Sequence, residues 1–277
     1  MSFEADWLAA RAPYDEAALD QAAIAHLAAW GAALPPGYAP SVVDLGSGTG
    51  AALRRVARWL APRPLVAYAV DQDAGLLTRA VATGPAGTRP VRCDLLRPLA
   101  AAGGPADGSV DLILGHALAD LLPLDRLAER AAALVRPGGL VHLALAYDGL
   151  TAFAPDAPLD AEMIAAFHRH MDRPAHRMLG YGGSTAGRRL GPALATAGLD
   201  ILADAPSVWE VQAQDGEAGR RVLARLIRYV AEAARDLGDV PAVDIARWER
   251  AQRAALDGGT LSVRVRHRDV LARRPHP

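Results

Sequence analysis

Hydrophobic and polar positions divide the chain into three regimes. Around and after Tyr14 apolar residues fall at helical spacing (Ala18, Ala22, Ile24, Leu27, Ala28) until the prolines of LPPGYAP at 34–40, which predicts a helical lead-in over 1–39. From Pro40 short, nearly continuous apolar runs alternate with helix-compatible stretches. SVVDLG, PLVAYAVD, PVRCD, SVDLILG and GLVHLALAY have the unbroken apolar character of strands buried on both faces. ALRRVARWL, AGLLTRAVATG, LLRPLAAAGG and DRLAERAAALVRPGG separate them as helices. Five strand-then-helix repeats over 40–147 predict an α/β core with a doubly wound, mostly parallel sheet.

After Tyr147 that rhythm breaks. Residues 148–185 carry prolines, His168, His170, His176 and the small-residue run GYGGSTAG, and read as a cap inserted between core elements. RRLGPALATAG and LDILADAPSVWEV resume helix and strand, so 186–277 reads as the remainder of the core. A helical insertion interrupts it at about 213–257, where Val222, Leu223, Leu226, Ile227, Val230, Ile245 and Trp248 sit at helical spacing. The closing LSVRVRHRDVLARR begins with period-two polarity, as a half-exposed edge strand would.

Composition narrows the function classes. A chain of 277 residues is long enough for one large domain with an elaborated cap. Thirty basic residues against thirty-one acidic ones give a net charge of −1, which offers no bulk attraction to nucleic acid or to an anionic membrane. Every basic residue is arginine, so lysine Schiff-base chemistry is excluded. Cys93 is the only cysteine, which rules out an intrachain disulfide and fits a reducing compartment. The acidic N-terminus lacks the pattern of a signal peptide, and no apolar run reaches the roughly 18 residues of a membrane span. The expectation is a soluble, cytoplasmic monomer or homodimer that acts on a small molecule, with neither nucleic acid nor membrane as partner. His168 and His170 splay apart on a helix, and no histidine pair has the i, i+4 spacing of a metal face, so no metal site is expected.

VVDLGSGTG at 42–50 sets Gly46, Gly48 and Gly50 between a buried strand and a helix, a turn tight enough for backbone amides to meet a ligand closely. With Ala51 the same residues satisfy the Gly-x-Gly-x-x-Ala dinucleotide fingerprint. A nicotinamide-dependent oxidoreductase or epimerase therefore stays open as an alternative, as does a non-catalytic cofactor-binding protein. Asp44 weighs against the first: a carboxylate two residues before Gly46 would repel a pyrophosphate and attract an ammonium group, so the ligand should be partly cationic.

On VVDLGSGTG with Asp44, the chain resembles the class I S-adenosylmethionine-dependent methyltransferases over residues 40 to about 147. The resemblance implies a seven-stranded, Rossmann-like methyltransferase sheet with helical cap insertions. It also implies S-adenosylmethionine as cofactor and S-adenosylhomocysteine as product, with Asp44, Gly46, Ser47, Gly48 and Gly50 at the cofactor. Asp71, 25 residues after Gly46, matches the family's acidic residue that accepts both ribose hydroxyls, and Gln72 beside it would face the adenosine. Cys93, Asp94 and Leu95 match the segment that holds the adenine ring. VDLILGHALADLLP and LVRPGGLVHLALAY match the fourth and fifth strands, with Pro-Gly-Gly as a connecting turn.

His116 falls where the family lines the methyl-transfer region and is the candidate catalytic residue. Arg11 is a candidate for the cofactor carboxylate. Tyr14, Tyr147, His168, His170 and Tyr181 are candidates for the acceptor pocket, Tyr147 because it ends a strand facing that pocket. A looser resemblance, carried by YDGLTAFAPDAPLD, FHRHMDR, GGSTAGRRL, SVWEV and LSVRVRHRDVLA, is to bacterial class I methyltransferases of unassigned substrate, and it draws in His267.

Methyl transfer from a sulfonium is an in-line displacement that asks the protein mainly to align the acceptor and exclude water. The loop GHAL lacks the Asn/Asp-Pro-Pro-Tyr/Phe grip on a flipped base, Cys93 sits at the adenine position, and the fourth strand does not end in an acidic magnesium anchor. Near neutrality and the two cap insertions point instead to a small organic acceptor, methylated at oxygen or nitrogen. Arg54-Arg55, Arg220-Arg221 and RVRHRD have acidic residues interspersed and few aromatic neighbours, and read as solvated faces.

Overall fold

In the computed structural model, which describes residues 5–173 and 182–276, the lead-in is two helices rather than one: α1 (Ala5–Ala18) and α2 (Gln21–Ala33). Asp20 makes the break. Its carboxylate accepts from the backbone N–H groups of Ala22 and Ala23, an N-cap worth about 1 kcal/mol that requires Asp20 itself to be extended.

The chain then alternates β1 (Ser41–Leu45), α3 (Ala51–Trp59), β2 (Val66–Asp71), α4 (Ala74–Thr83), β3 (Arg89–Arg92), β4 (Val110–His116), α5 (Leu124–Leu134) and β5 (Val135–Ala154). Helices α6 (Asp160–Met171) and α7 (Ala186–Thr196) lead to β6 (Asp200–Gln212), and α8 (Gly216–Leu237) and α9 (Ala242–Asp257) lead to β7 (Ser262–Arg273). All seven strands form one sheet in the order β3-β2-β1-β4-β5-β7-β6, in which β7 runs antiparallel to both of its neighbours. The expected seven-stranded, mostly parallel α/β sheet is present.

Four local expectations are corrected. PVRCD is not buried on both faces: in β3, the sheet edge, only Val91 is buried. LLRPLAAAGG contributes a single 3-10 turn, Leu99–Ala102, because Pro98 and the glycines at 103 and 104 leave no room for a longer helix. Tyr147 does not end its strand, since β5 continues to Ala154. The final strand is not an edge, because β5 and β6 flank β7 on both sides. Its alternation has another cause: Val263, Val265, His267 and Asp269 are buried, while the arginines between them line the other, more open face.

The outer parts of β5, β6 and β7 extend past the parallel core and carry a second one. Phe153, Trp209, Val211, Val263 and Val265 pack there with Met163 of α6, Val222, Leu223, Ile227 and Val230 of α8, and Ile245 and Trp248 of α9. Trp7 and Ala10 of α1 join the same cluster. Among the described residues, no helix is long and apolar enough to cross a membrane.

Asp269 ties the two halves together. Fully buried, it accepts from the backbone N–H of Leu145 at 2.8 Å, from that of Asp20 at 2.9 Å and from the Ser207 hydroxyl at 2.7 Å. Leu145 has a left-handed φ of 58°, unusual for a bulky residue, and lies where the β5–β7 register shifts. Asp269→Ala removes three hydrogen bonds at once and should lower stability by about 3 kcal/mol in urea denaturation. A change below about 1 kcal/mol would show that Leu145 and Asp20 hold their positions without it.

Candidate functional site

The glycine turn sits at the C-terminal ends of β1 and β2, where ligands of open α/β sheets bind. Gly46, Gly48 and Gly50 all have left-handed φ, 66°, 50° and 78°. A side chain at Gly46 would also press on Leu118 at 2.7 Å, and one at Gly50 on the backbone of Ala80 at 3.1 Å. Only glycine fits here without strain. Leu8 of α1 lies 3.1 Å from where a Cβ on Gly48 would be, so the first helix reaches over the turn. The Ser47 N–H donates to the Val70 carbonyl at 2.9 Å, while its buried hydroxyl has no partner.

Two carboxylates flank the turn in different states. Asp71 is held open at the end of β2, its two oxygens accepting from the backbone N–H groups of Gly48 and Asp73 at 3.0 Å each. Asp44 is 1% exposed, and its Oδ2 has no hydrogen-bond partner. Burial pushes its pKa up to about 7; Arg55 pulls against that and Asp71 adds to it. Gln72, Cys93 and Asp94 line a shallow surface depression with Arg92 and Arg97, and Leu95 is buried behind it. The Cys93 N–H bonds to the Asp71 carbonyl at 3.2 Å, which couples this depression to the end of β2.

Below the turn runs a buried polar chain that the sequence did not announce. Arg55 of α3 is 2% exposed, not solvated. It donates to the Ala12 carbonyl at 3.2 Å and pairs with Asp15 of α1 at 3.6 Å. Its Nη1 is 3.3 Å from Nδ1 of His116, whose Nε2 is 3.2 Å from Nδ1 of His142. A guanidinium can only donate, so His116 Nδ1 accepts, and the single ring proton lies on Nε2 and points to His142. Burial holds His116 well below the ordinary histidine range, helped by His142 and Arg55, and brings His142 down to about 4. Both ring nitrogens of the expected catalytic histidine are thus engaged inside the protein.

The remaining candidates separate. The Tyr147 hydroxyl lies 2.6 Å from Nε2 of His168 and 3.0 Å from the Thr151 hydroxyl, and burial pushes its pKa up to about 12. Arg11 lies 3.3 Å from Asp15, with its Cζ 5.8 Å from the ring centre of Trp209. Tyr14 is not with them: its hydroxyl donates to Asp215 at 3.0 Å and braces α1 against the start of α8. Nor is His170, which meets Asp236 at 3.0 Å on the outer face between α6 and α8. Neither contact is visible in sequence, because both partners lie over sixty residues away. Tyr181 and His176 lie outside the described residues. Among the described residues no group of His, Cys, Asp or Glu is arranged to hold a metal ion.

Sequence reasoning missed Asp15, Arg55, Trp209 and the burial of His267 and Asp269. Alternation in LSVRVRHRD carried the signal for the last two, since His267 and Asp269 share a parity with Val263 and Val265. RVRHRD is accordingly solvated on one side only.

No protein-family model matches the chain, and no curated protein matches its sequence. Solved structures do share its architecture. BH2331 of Bacillus halodurans C-125, which carries a provisional methyltransferase name, aligns over 91% of this chain and 99% of its own at 18% identity, with a TM-score of 0.55. YcgJ of Bacillus subtilis aligns over 93% of this chain and 100% of its own at 13% identity and a TM-score of 0.54. A geranyl diphosphate C-methyltransferase of Streptomyces coelicolor A3(2), solved with Mg2+, geranyl diphosphate and S-adenosylhomocysteine, aligns over 90% and 79% at 13% identity and 0.46. The chain has the fold of the class I S-adenosylmethionine-dependent methyltransferases. Its antiparallel β7 between β5 and β6 also departs from the all-parallel 3-2-1-4-5-6 order of dinucleotide-binding sheets.

The buried histidines should stay neutral in mildly acidic solution. Nitrogen-15 spectra are expected to keep His116, His142 and His267 as neutral imidazoles from pH 8 to about 5.5. Because the unfolded chain takes up these protons below about pH 6.5 and the folded chain does not, the three rings withdraw stability as pH falls through that range. A His116 signal titrating near 6.5 would mean that its nitrogens are free.

Proposed function

We propose that this chain is an S-adenosylmethionine-dependent methyltransferase, acting on an oxygen or nitrogen of a small organic acceptor and leaving S-adenosylhomocysteine. The observation that carries the proposal is Asp44: a buried carboxyl with an unpartnered oxygen, placed directly under a turn that admits only glycine. A diphosphate at that turn would meet a second negative charge. An α-ammonium group would supply the missing donor and a compensating charge. In this reading Gly46, Ser47, Gly48 and Gly50 cradle the amino-acid end of the cofactor, Asp71 accepts from the ribose hydroxyls, and Gln72, Cys93, Asp94 and Leu95 flank the adenine.

When bound, this cofactor supplies a methyl group already activated on a sulfonium. The chain's own part is to bind, align and keep water out. Leu8 and Leu118 close over the glycine turn, and the second core excludes solvent from the far side. His116 serves as an internal brace rather than a base. Its accepting nitrogen is taken by Arg55, and through Arg55 it links the end of β4 to α1. Of the sequence candidates, Tyr147 and His168 stay on the acceptor side, and Tyr14 and His170 leave it.

Thermal denaturation separates this reading from a nicotinamide enzyme. S-adenosylhomocysteine at a hundredfold excess over its dissociation constant should stabilise the fold by about 2.7 kcal/mol, while NAD(P) should not. Stabilisation by NAD(P) alone would overturn the assignment. Asp44→Asn should fold normally at neutral pH and lose cofactor binding, as should Gly48→Val on steric grounds. Normal affinity in both variants would remove the basis of the site.

Binding should also be linked to protons with a definite sign. An ammonium group favours the ionised form of a carboxyl whose free pKa is about 7. Cofactor affinity therefore rises as pH increases through 7, and protons are released on binding below it. Calorimetry in buffers of different ionisation heat reads this directly, and Asp44→Asn should abolish it.

A further inference from the structure

Where α1 packs on β6, aromatic and polar side chains from four elements meet: Trp7 and Arg11 of α1, Tyr147 of β5, Trp209 of β6 and His267 of β7. The rings of Trp209 and His267 are 4.7 Å apart, those of Tyr147 and His267 6.3 Å, and those of Trp7 and Trp209 6.4 Å. Trp209 is 4% exposed and His267 5%, yet Trp209 Nε1 and His267 Nδ1 have no hydrogen-bond partner, while Arg11 beside them turns its Nε to Asp15 at 3.3 Å. Buried polar atoms are nearly always paired, so two unpaired ones side by side in a single cluster point to a partner outside the chain.

We propose that this cluster binds the oxyanion of a planar acceptor, with Arg11 and Trp209 as donors and His267 completing the set. The proposal rests on the methyltransferase reading and names the acceptor class. Indole and guanidinium nitrogens only donate, so the group they meet must offer lone pairs. Charge selects an anion. Asp15 is the carboxylate paired with Arg11, and it is shared with Arg55. Asp120, also within electrostatic reach of Arg11, is pushed upward by burial, which favours its uncharged form. Burial takes His267 down to about 3, so it adds no charge, and in the Nδ1–H tautomer its one ring N–H joins the donors. A cationic amine would meet the Arg11 guanidinium here, whereas a carboxylate or phenolate would neutralise it. The rings of Trp7, Tyr147 and Trp209 supply flat apolar walls.

The test titrates benzoate and benzylamine into the full-length protein by calorimetry, with and without saturating S-adenosylhomocysteine. Benzoate is expected to bind the cofactor-saturated protein and benzylamine is not. Trp209→Phe, which keeps the ring and loses the donor, should weaken benzoate roughly tenfold and leave the cofactor dissociation constant within about twofold. Arg11→Gln should weaken benzoate at least as much. The proposal fails if benzylamine binds as well as benzoate, if benzoate does not bind with or without cofactor, or if Trp209→Phe leaves its affinity unchanged. It fails equally if Arg11→Gln weakens only the cofactor, because the guanidinium would then belong to the cofactor carboxylate. Absence of cofactor binding in the parent protein would instead sink the methyltransferase reading, and the arm without cofactor would still show whether the cluster takes benzoate.

Discussion

Keeping a carboxyl group out of water at the end of β1 is the constraint on which the rest of the site depends. Asp44 has no bulk solvent to stabilise its charge, and Arg55 is the cation that most opposes its burial. Arg55 can play that part only because it is itself held, by Asp15, the Ala12 carbonyl and His116. Each of those holds something in turn. Asp15 fastens α1 over the glycine turn, and His116 fixes the end of β4. The buried polar groups form one connected set spanning α1, β1, α3, β4 and β5, and the turn is shaped by its neighbours as much as by its glycines.

The same constraint explains the unusual density of neutral histidine. Among the described residues three histidines are fully buried with pKa values pushed down by desolvation, and two of them lie in line with Arg55. A neutral imidazole can accept from a guanidinium and pass a donor onward without adding charge. A lysine or a second arginine in either place would add repulsion to a region that already holds Arg11 and Arg55. In the function proposed above these histidines serve alignment, since both ring nitrogens of His116 already have partners inside the protein.

Much of the core was legible in the sequence because burial on both faces leaves a plain mark: four of the five runs from SVVDLG to GLVHLALAY are continuous because helices cover both sides. The glycine turn was legible for a similar reason, since left-handed φ at three places leaves little choice of residue. What stayed hidden is what depends on distant partners. Arg55 and Arg54 look alike in the chain, but one is buried against α1 while the other is half-exposed and bonds to Thr49 and Thr83. Tyr14 and His170 were placed by residue type, and the structure gives each an acidic partner from α8 or its border. The last strand was misread because alternation marks a sheet open on one face, and says nothing of whether neighbours flank it.

The position of β7 carries a consequence for how the molecule is made. In the sheet β6 has β7 as its sole neighbour, and β5 pairs with β7 as well, from Leu140 with Arg273 to Ala154 with Ser262. The β5–β7 pairs join segments more than a hundred residues apart, contacts of the slow, non-local kind. On a ribosome the parallel half can assemble while translation continues, but the antiparallel half must wait for β7 to emerge. Until then the aromatic wall around Trp209 has no strand beside it, and a chain that stops short of residue 262 would keep the glycine turn while leaving β6 with no sheet to join.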